Sequence, residues 1–168
     1  MEKMKRMKII AVAMTALFAI GMLAACGTGD NAGADAGNEA DTIGTKLISE
    51  FITASADTQD VQELADVLSK SEIFGEVVTG CVPVEEGLLN GFDGEIEGFN
   101  SGAMFCPMIG TIPFVGYVFE TDDADALIES LEAHAQLNWN ICTEADEMVT
   151  EKNGNLVCFI MAPESFEE

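Results

Sequence analysis

The stretch Glu147-Met-Val-Thr-Glu-Lys-Asn-Gly-Asn-Leu-Val-Cys-Phe-Ile-Met161 decides the fold of this chain. At its centre lies Asn153-Gly154, a strong short hairpin signal because both residues tolerate the positive φ that a tight turn requires. The flanking residues 147–151 and 155–161 are therefore predicted to pair as antiparallel strands. Residues 156–161 are all apolar, which is typical of a strand that is buried on both faces. The stretch predicts a hairpin whose second strand lies inside a sheet.

Three further segments upstream have the composition of β-strands. Residues 76–82 are rich in β-formers and end at Pro83, and residues 95–105 and 114–120 follow on either side of a loop broken by glycine and proline. The second and third segments are predicted to pair as neighbours.

Two other segments have the helical spacing of apolar residues. The first is predicted to be capped by Asp57 or Thr58, and the second by Thr121 or Asp122, because these side chains accept hydrogen bonds from free helix amides. The residues predicted to face inward are Val61, Leu64, Ala65 and Leu68 in the first helix, and Ala124, Leu127, Ile128, Leu131 and Ala135 in the second.

The predicted order is helix, three strands, helix and two strands. Runs of strands joined by short turns favour antiparallel pairing, and amphipathic helices must bury their apolar stripe against a sheet. We therefore expect an α+β fold with a largely antiparallel sheet and helices packed on one face.

The N-terminus has the organisation of an export signal. A basic start with Lys3, Lys5, Arg6 and Lys8 precedes an uncharged apolar run over residues 9–23. That run is shorter than the roughly 20 residues that a helix needs to cross a bilayer. The run ends in Leu23-Ala24-Ala25-Cys26, which resembles the lipobox of bacterial lipoproteins. The alternative is an ordinary secretory peptide in which Cys26 has no role.

The lipobox resemblance implies the boundaries and the location of the mature protein. Residues 1–25 would be a lipoprotein signal peptide, and Cys26 would carry a diacylglyceryl group that anchors the chain to the lipid bilayer. The protein is then expected on the extracytoplasmic face of the cell membrane. Residues 26–45 are rich in Gly, Ala, Asp and Asn, which predicts a flexible acidic linker. Residues 46–168 are predicted to form a single globular domain.

The globular part also resembles small exported lipoproteins that carry a domain of unknown function. The resemblance rests on the strand at residues 114–120, the acidic-capped helix that follows it, and the Asn153-Gly154 hairpin. It implies no activity.

Removal of residues 1–25 would leave three lysines and 29 carboxylates, a net charge of −26. This charge repels nucleic-acid phosphates and anionic headgroups, so no nucleic-acid partner is expected and the lipid must supply the membrane attachment. The mature chain would also lack arginine, which is the usual bidentate ligand for phosphate.

Four cysteines lie in the predicted domain: Cys81, Cys106, Cys142 and Cys158. An even number in an exported chain is consistent with two disulfides, and four buried thiols are the equal alternative. Because no Cys-x-x-Cys spacing occurs, no zinc or redox site is predicted.

No catalytic residue, metal site or cofactor is predicted. His134 is the only histidine, and it lies at the edge of an apolar helix face without a recognisable nucleophile motif. Asp93, Glu95, Glu97 and Gly98 are similar to the start of a calcium loop, but Met104 stands where the closing glutamate would be. The interpretation is a binding or interaction module for an unknown protein or small molecule. The alternative is a cell-envelope hydrolase that uses carboxylates.

The loop between Pro107 and Phe114 combines apolar residues with loop-forming residues. Its residues Met108, Ile109, Ile112 and Phe114 are predicted to form a partner-binding surface if the loop is exposed. The alternative is that the loop folds over the sheet as part of the core.

Overall fold

The computed structural model describes residues 42–166. Its helices are α1 (Ile43–Ala54), α2 (Val61–Ser69) and α3 (Ala124–His134), and a short 3-10 turn covers Glu72–Phe74. Its strands are β1 (Thr79–Val84), β2 (Gly87–Leu88), β3 (Glu95–Ile96), β4 (Ser101–Pro107), β5 (Val115–Glu120), β6 (Glu147–Asn153) and β7 (Leu156–Ala162).

The main sheet has five strands in the order β1-β4-β5-β7-β6, and every neighbouring pair is antiparallel. The strands β2 and β3 form a separate two-stranded ribbon. The α+β class with an antiparallel sheet is therefore confirmed, and so is the predicted pairing of the strands on either side of the 107–114 loop.

The hairpin at the end of the chain forms as predicted, with a shift of one residue at the turn. Asn153 pairs with Leu156, so the two turn positions are Gly154 and Asn155. Gly154 has φ +64°, a conformation that suits glycine because it has no Cβ. All seven residues of β7 are buried between β5 and β6, as expected for an interior strand.

The helices lie on both faces of the sheet, which corrects the prediction that they cover one face. The helices α1 and α2 pack on the face formed by Phe105, Val118 and Cys158. The helix α3 packs through Leu127 and Leu131 on the other face, against alternate residues of the same strands. Both faces of β5 and β7 are apolar, so each face of the sheet must be covered by its own helix or helices.

The helix α1 begins inside the segment predicted to be linker. Thr42 caps it by accepting a hydrogen bond from the Thr45 amide (3.2 Å), and the Thr45 hydroxyl accepts in return from the Thr42 amide (3.0 Å). Ile43, Leu47 and Phe51 then fall on one buried face at intervals of four residues. The ordered fold thus starts before residue 46, and Ile43 is a core residue.

The other two helices occupy the predicted segments and begin slightly later than expected. Asp60 caps α2 and Asp123 caps α3, each through its carboxylate. Thr121 is instead buried, where its hydroxyl donates to the Gly98 carbonyl (2.6 Å). Side-chain oxygens cap both helices as predicted, but the capping residues are Asp60 and Asp123 and not the predicted ones.

The strand β1 continues through Pro83 because β1 lies at the edge of the sheet. The Met108 amide donates to the Val78 carbonyl (2.8 Å), which places residues 78, 80, 82 and 84 in hydrogen-bonded pairs with β4. Pro83 therefore faces the open edge, where its missing N–H leaves no β4 acceptor unpaired. It also removes one donor from an edge that could otherwise pair with another strand.

Candidate functional site

The loop between β4 and β5 divides into an exposed part and a buried part. Met108 is 70% exposed and Ile109 is 58% exposed, whereas Ile112 is half-buried and Phe114 is only 2% exposed. The first half of the loop therefore forms an exposed apolar surface, and its role in binding stays a prediction. Phe114 is a core residue, because its ring packs against Phe74 and Phe105.

Two side chains from the loop between α3 and β6 hold the exposed part in place. The Asn140 side-chain amide donates to the Gly110 carbonyl (3.0 Å), and the Thr143 hydroxyl donates to the Thr111 carbonyl (2.9 Å). These bonds satisfy two loop carbonyls that no sheet partner reaches. The loop that presents the exposed residues is thus held at its middle, directly after Ile109.

Three clefts meet at Ile109, which lines all of them. The largest has a volume of about 870 Å³, and the other two have volumes of about 650 and 300 Å³. Besides Ile109, the lining of the largest cleft includes Thr111, Ile112, Glu144, Asp146 and Phe166. The lining of the 650 Å³ cleft includes Glu72, Glu76, Val78 and Phe166. The lining of the 300 Å³ cleft includes Cys106, Trp139, Asn140 and Ile141. We call Met108, Ile109 and the linings of these clefts the Ile109 surface.

Carboxylates flank Ile109 on two sides. Glu72 and Glu76 lie in one cleft and Glu144 and Asp146 in another, and no lysine or arginine of residues 42–166 lines any of the three clefts. The Asp146 carboxylate also accepts a hydrogen bond from the Glu164 amide (2.8 Å). The surface therefore combines an exposed apolar centre with an acidic border.

These four acids were not singled out by the sequence. They come from the 3-10 turn, the residues after it, and the loop before β6, so they become neighbours only when the chain folds. Among the 30 Asp and Glu residues of the chain, no local spacing distinguishes these four from acids on the outer faces of helices.

His134, the last residue of α3, contacts the segment between β2 and β3. Its Nδ1 lies 3.2 Å from Asp93 Oδ1, and its backbone carbonyl accepts from the Asp93 amide (3.0 Å). The other Asp93 oxygen accepts from the Gln136 side chain (3.1 Å), and the ring covers Gly94 so closely that a Cβ there would overlap it. His134 and Asp93 thus fasten the β2–β3 region to the end of α3, which is a structural role.

The four cysteines are free thiols. Cys158 is buried, Cys81 and Cys106 are partly buried and Cys142 is exposed, so the alternative of four buried thiols holds for one of them. Burial raises the pKa of the Cys158 thiol, and partial burial raises that of Cys106, because each site disfavours the thiolate.

The topology rules out a set of two disulfides, because each of the three possible pairings of these cysteines contains one bridge that cannot form. Cys81 pairs with Phe105, so it faces opposite to Cys106. Cys81 and Cys158 lie on strands three positions apart, or about 14 Å, whereas bridged cysteines have Cα atoms within about 7 Å. Cys106 and Cys158 face opposite sides and have β5 between them. Each of the three pairings contains one of these pairs.

Within residues 42–166, no group of three or more His, Cys, Asp or Glu side chains is arranged to hold a metal ion. In the segment with similarity to a calcium loop, Glu95 belongs to β3 and Asp93 is engaged by His134. Cys26 and its lipobox lie outside the described residues. None of the helices in the described part is both long and apolar enough to span a bilayer.

No family model, no curated protein and no solved structure matches this chain. The Ile109 surface and the N-terminal motif are therefore the features on which a functional proposal can rest.

Proposed function

We propose that this chain is a lipoprotein anchored through Cys26 to the extracytoplasmic face of the membrane, where its domain acts as a binding module. The anchor is supported by the basic start, the short apolar run and Leu23-Ala24-Ala25-Cys26. Acyl chains contribute about 0.8 kcal/mol per buried CH₂, so two or more hold a protein stably at a bilayer without help from its charges.

The binding role rests on one observation, the exposure of Ile109 at the meeting point of three clefts, with exposed Met108 next to it in the chain. Each apolar square ångström that leaves water on binding contributes about 25 cal/mol. A fixed loop also loses little conformational entropy when a partner covers it. Concave, partly apolar surfaces with a few polar groups are typical of binding sites.

Cys26→Ser is expected to abolish lipidation, because only a thiol can form the thioether to diacylglycerol. Cells grown with a labelled fatty acid should incorporate the label into the wild-type protein and not into the variant. Cys142→Ser is the matched control, since Cys142 is exposed yet lies in the folded domain. Equal labelling of the Cys26→Ser variant would refute the lipoprotein assignment.

Contact with a partner can be tested by placing a photo-activated cross-linking side chain at position 109 in the full-length protein in living cells. Irradiation is expected to give a discrete adduct from position 109. The same side chain at position 88 is the control, because Leu88 is 70% exposed and lies outside the three clefts. The same adducts from both positions would contradict a specific surface at Ile109.

A further inference from the structure

We propose that the Ile109 surface recognises a protein segment in which lysine or arginine flanks an apolar side chain, an inference that rests on the proposed binding role. The apolar side chain contacts Met108 and Ile109, and the basic groups lie over the carboxylates beside them. This deepens the proposed function by naming the chemistry of the partner.

The charges on the surface favour a basic partner. Glu72 and Glu76 lie on one side of Ile109, and Glu144 and Asp146 on another. Within residues 42–166, Lys70 pairs with Asp66 on α2 and Lys152 pairs with Asp125 on α3, and neither lysine lines the clefts around Ile109. Complementary charge of this kind accelerates association and selects against acidic partners.

The apolar centre adds what charge alone cannot provide. Met108 and Ile109 are adjacent and exposed, and Ile141, which lines the smallest cleft, is 99% exposed. A purely ionic ligand would leave these side chains in water, whereas a segment with a leucine or similar residue covers them. Apolar anchors in a central pocket with a charged border are the usual anatomy of a protein interface.

The same charges disfavour two other occupants. A second copy of this chain would bring the same carboxylates face to face around Ile109, and like charges at an interface are repulsive. An anionic bilayer would also be repelled by these carboxylates and by the mature charge of −26. A basic and apolar segment of another protein satisfies both components of the surface.

The test uses the full-length protein in phosphatidylcholine nanodiscs and three synthetic peptides. In the first peptide lysine and leucine alternate, in the second glutamate replaces lysine, and in the third serine replaces leucine. We expect the lysine–leucine peptide to bind at least about tenfold more tightly than either control, as measured by fluorescence anisotropy against empty nanodiscs. Its affinity should fall as salt is raised, because the carboxylates are exposed.

Matched variants locate the binding site. Ile109→Ser, and the double variant Glu76→Gln with Glu144→Gln, should each weaken the lysine–leucine peptide by about tenfold while the melting temperature stays unchanged. Leu88→Ser and Glu129→Gln are the controls, because both residues are exposed and lie outside the three clefts. The controls should bind the peptide as the wild type does.

Three outcomes would overturn the inference. Equal weakening by the control variants would mean diffuse attraction to an acidic protein. Binding to phosphatidylglycerol vesicles that Ile109→Ser abolishes would mean a membrane contact instead. If no peptide binds while a cross-linker at position 109 still captures a partner, the partner chemistry is wrong and the binding role stands. Failure of both experiments would remove the binding role as well.

Discussion

Phe114→Asp is expected to unfold the domain, whereas Ile109→Asp, five residues earlier in the same loop, is expected to leave its stability nearly unchanged. The Phe114 ring is 2% exposed and lies 5.1 Å from the Phe74 ring and 5.8 Å from the Phe166 ring, measured between centroids. Truncating such a ring costs about 3–5 kcal/mol. An unpaired buried carboxylate adds several kcal/mol, so the sum approaches the whole stability of a typical domain.

Ile109→Asp neither removes buried packing nor buries a carboxylate. Its side chain is largely in water, so a carboxylate there stays hydrated, and a surface substitution of this kind changes the free energy of unfolding by less than about 0.5 kcal/mol. Thermal unfolding followed by circular dichroism compares the two variants directly. Phe114→Leu should recover most of the loss, and an intact Phe114→Asp protein would show that the loop is not part of the core.

Ile112 is a less informative position for this comparison. It lines two of the clefts and also packs against the core on the α1–α2 face. A charge at Ile112 would therefore disturb binding and stability together, and the two effects could not be separated.

Gly116→Ala is expected to destabilise the protein by about 3 kcal/mol. Gly116 lies in β5, and a Cβ built there would be 2.2 Å from Cζ of Phe105 and 2.5 Å from its Cε1. Phe105 is fully buried, so its ring cannot move aside without displacing other core residues. Overpacking of this kind typically costs about 1–3 kcal/mol, and here the clash is with a rigid ring.

Gly110→Ala is the control for that substitution. No atom lies within 4 Å of a Cβ at Gly110, so the added methyl group meets open space. Chemical denaturation should therefore give a midpoint close to that of the wild type for Gly110→Ala and a much lower one for Gly116→Ala. Equal midpoints would contradict the packing of Phe105 against β5.

The sequence predicted the elements whose signals are local. The hairpin of β6 and β7 depends on a turn dipeptide and on an apolar run, and α2 depends on apolar spacing that starts just after an acidic cap. The helix α1 was missed because Gly44 in its first turn resembles linker composition. Gly44 brings α1 close to β6, since its amide donates to Glu147 Oε1 (2.7 Å) and its Cα packs close to Val149.

The placement of α3 could not be predicted for a different reason. The strands β5 and β7 are apolar at every buried position on both faces, so the sequence indicates that both faces need cover without indicating which helix covers which. The Phe92↔Ala135 bridge and the contact of His134 with Asp93 place α3 beside the β2–β3 ribbon. These contacts join residues about forty positions apart.

The candidate site was predicted only in part. The loop composition drew attention to Met108, Ile109, Ile112 and Phe114, but composition cannot distinguish a residue that faces water from one that faces the core. The acidic border was not predicted, because Glu72, Glu76, Glu144 and Asp146 converge through the tertiary fold. The same topology separates Cys81, Cys106 and Cys158 from one another, so the two disulfides suggested by the even number of cysteines cannot both form.

The most direct test of the central claim, that the Ile109 surface binds a partner, is affinity capture from detergent-solubilised native membranes with full-length Ile109→Asp and Leu88→Asp proteins. Both substitutions place a carboxylate at an exposed apolar side chain, and only Ile109 lies in the clefts. We predict that Ile109→Asp recovers at least about tenfold less of the partner than Leu88→Asp, with equal melting temperatures. Equal recovery by the two variants would contradict the claim.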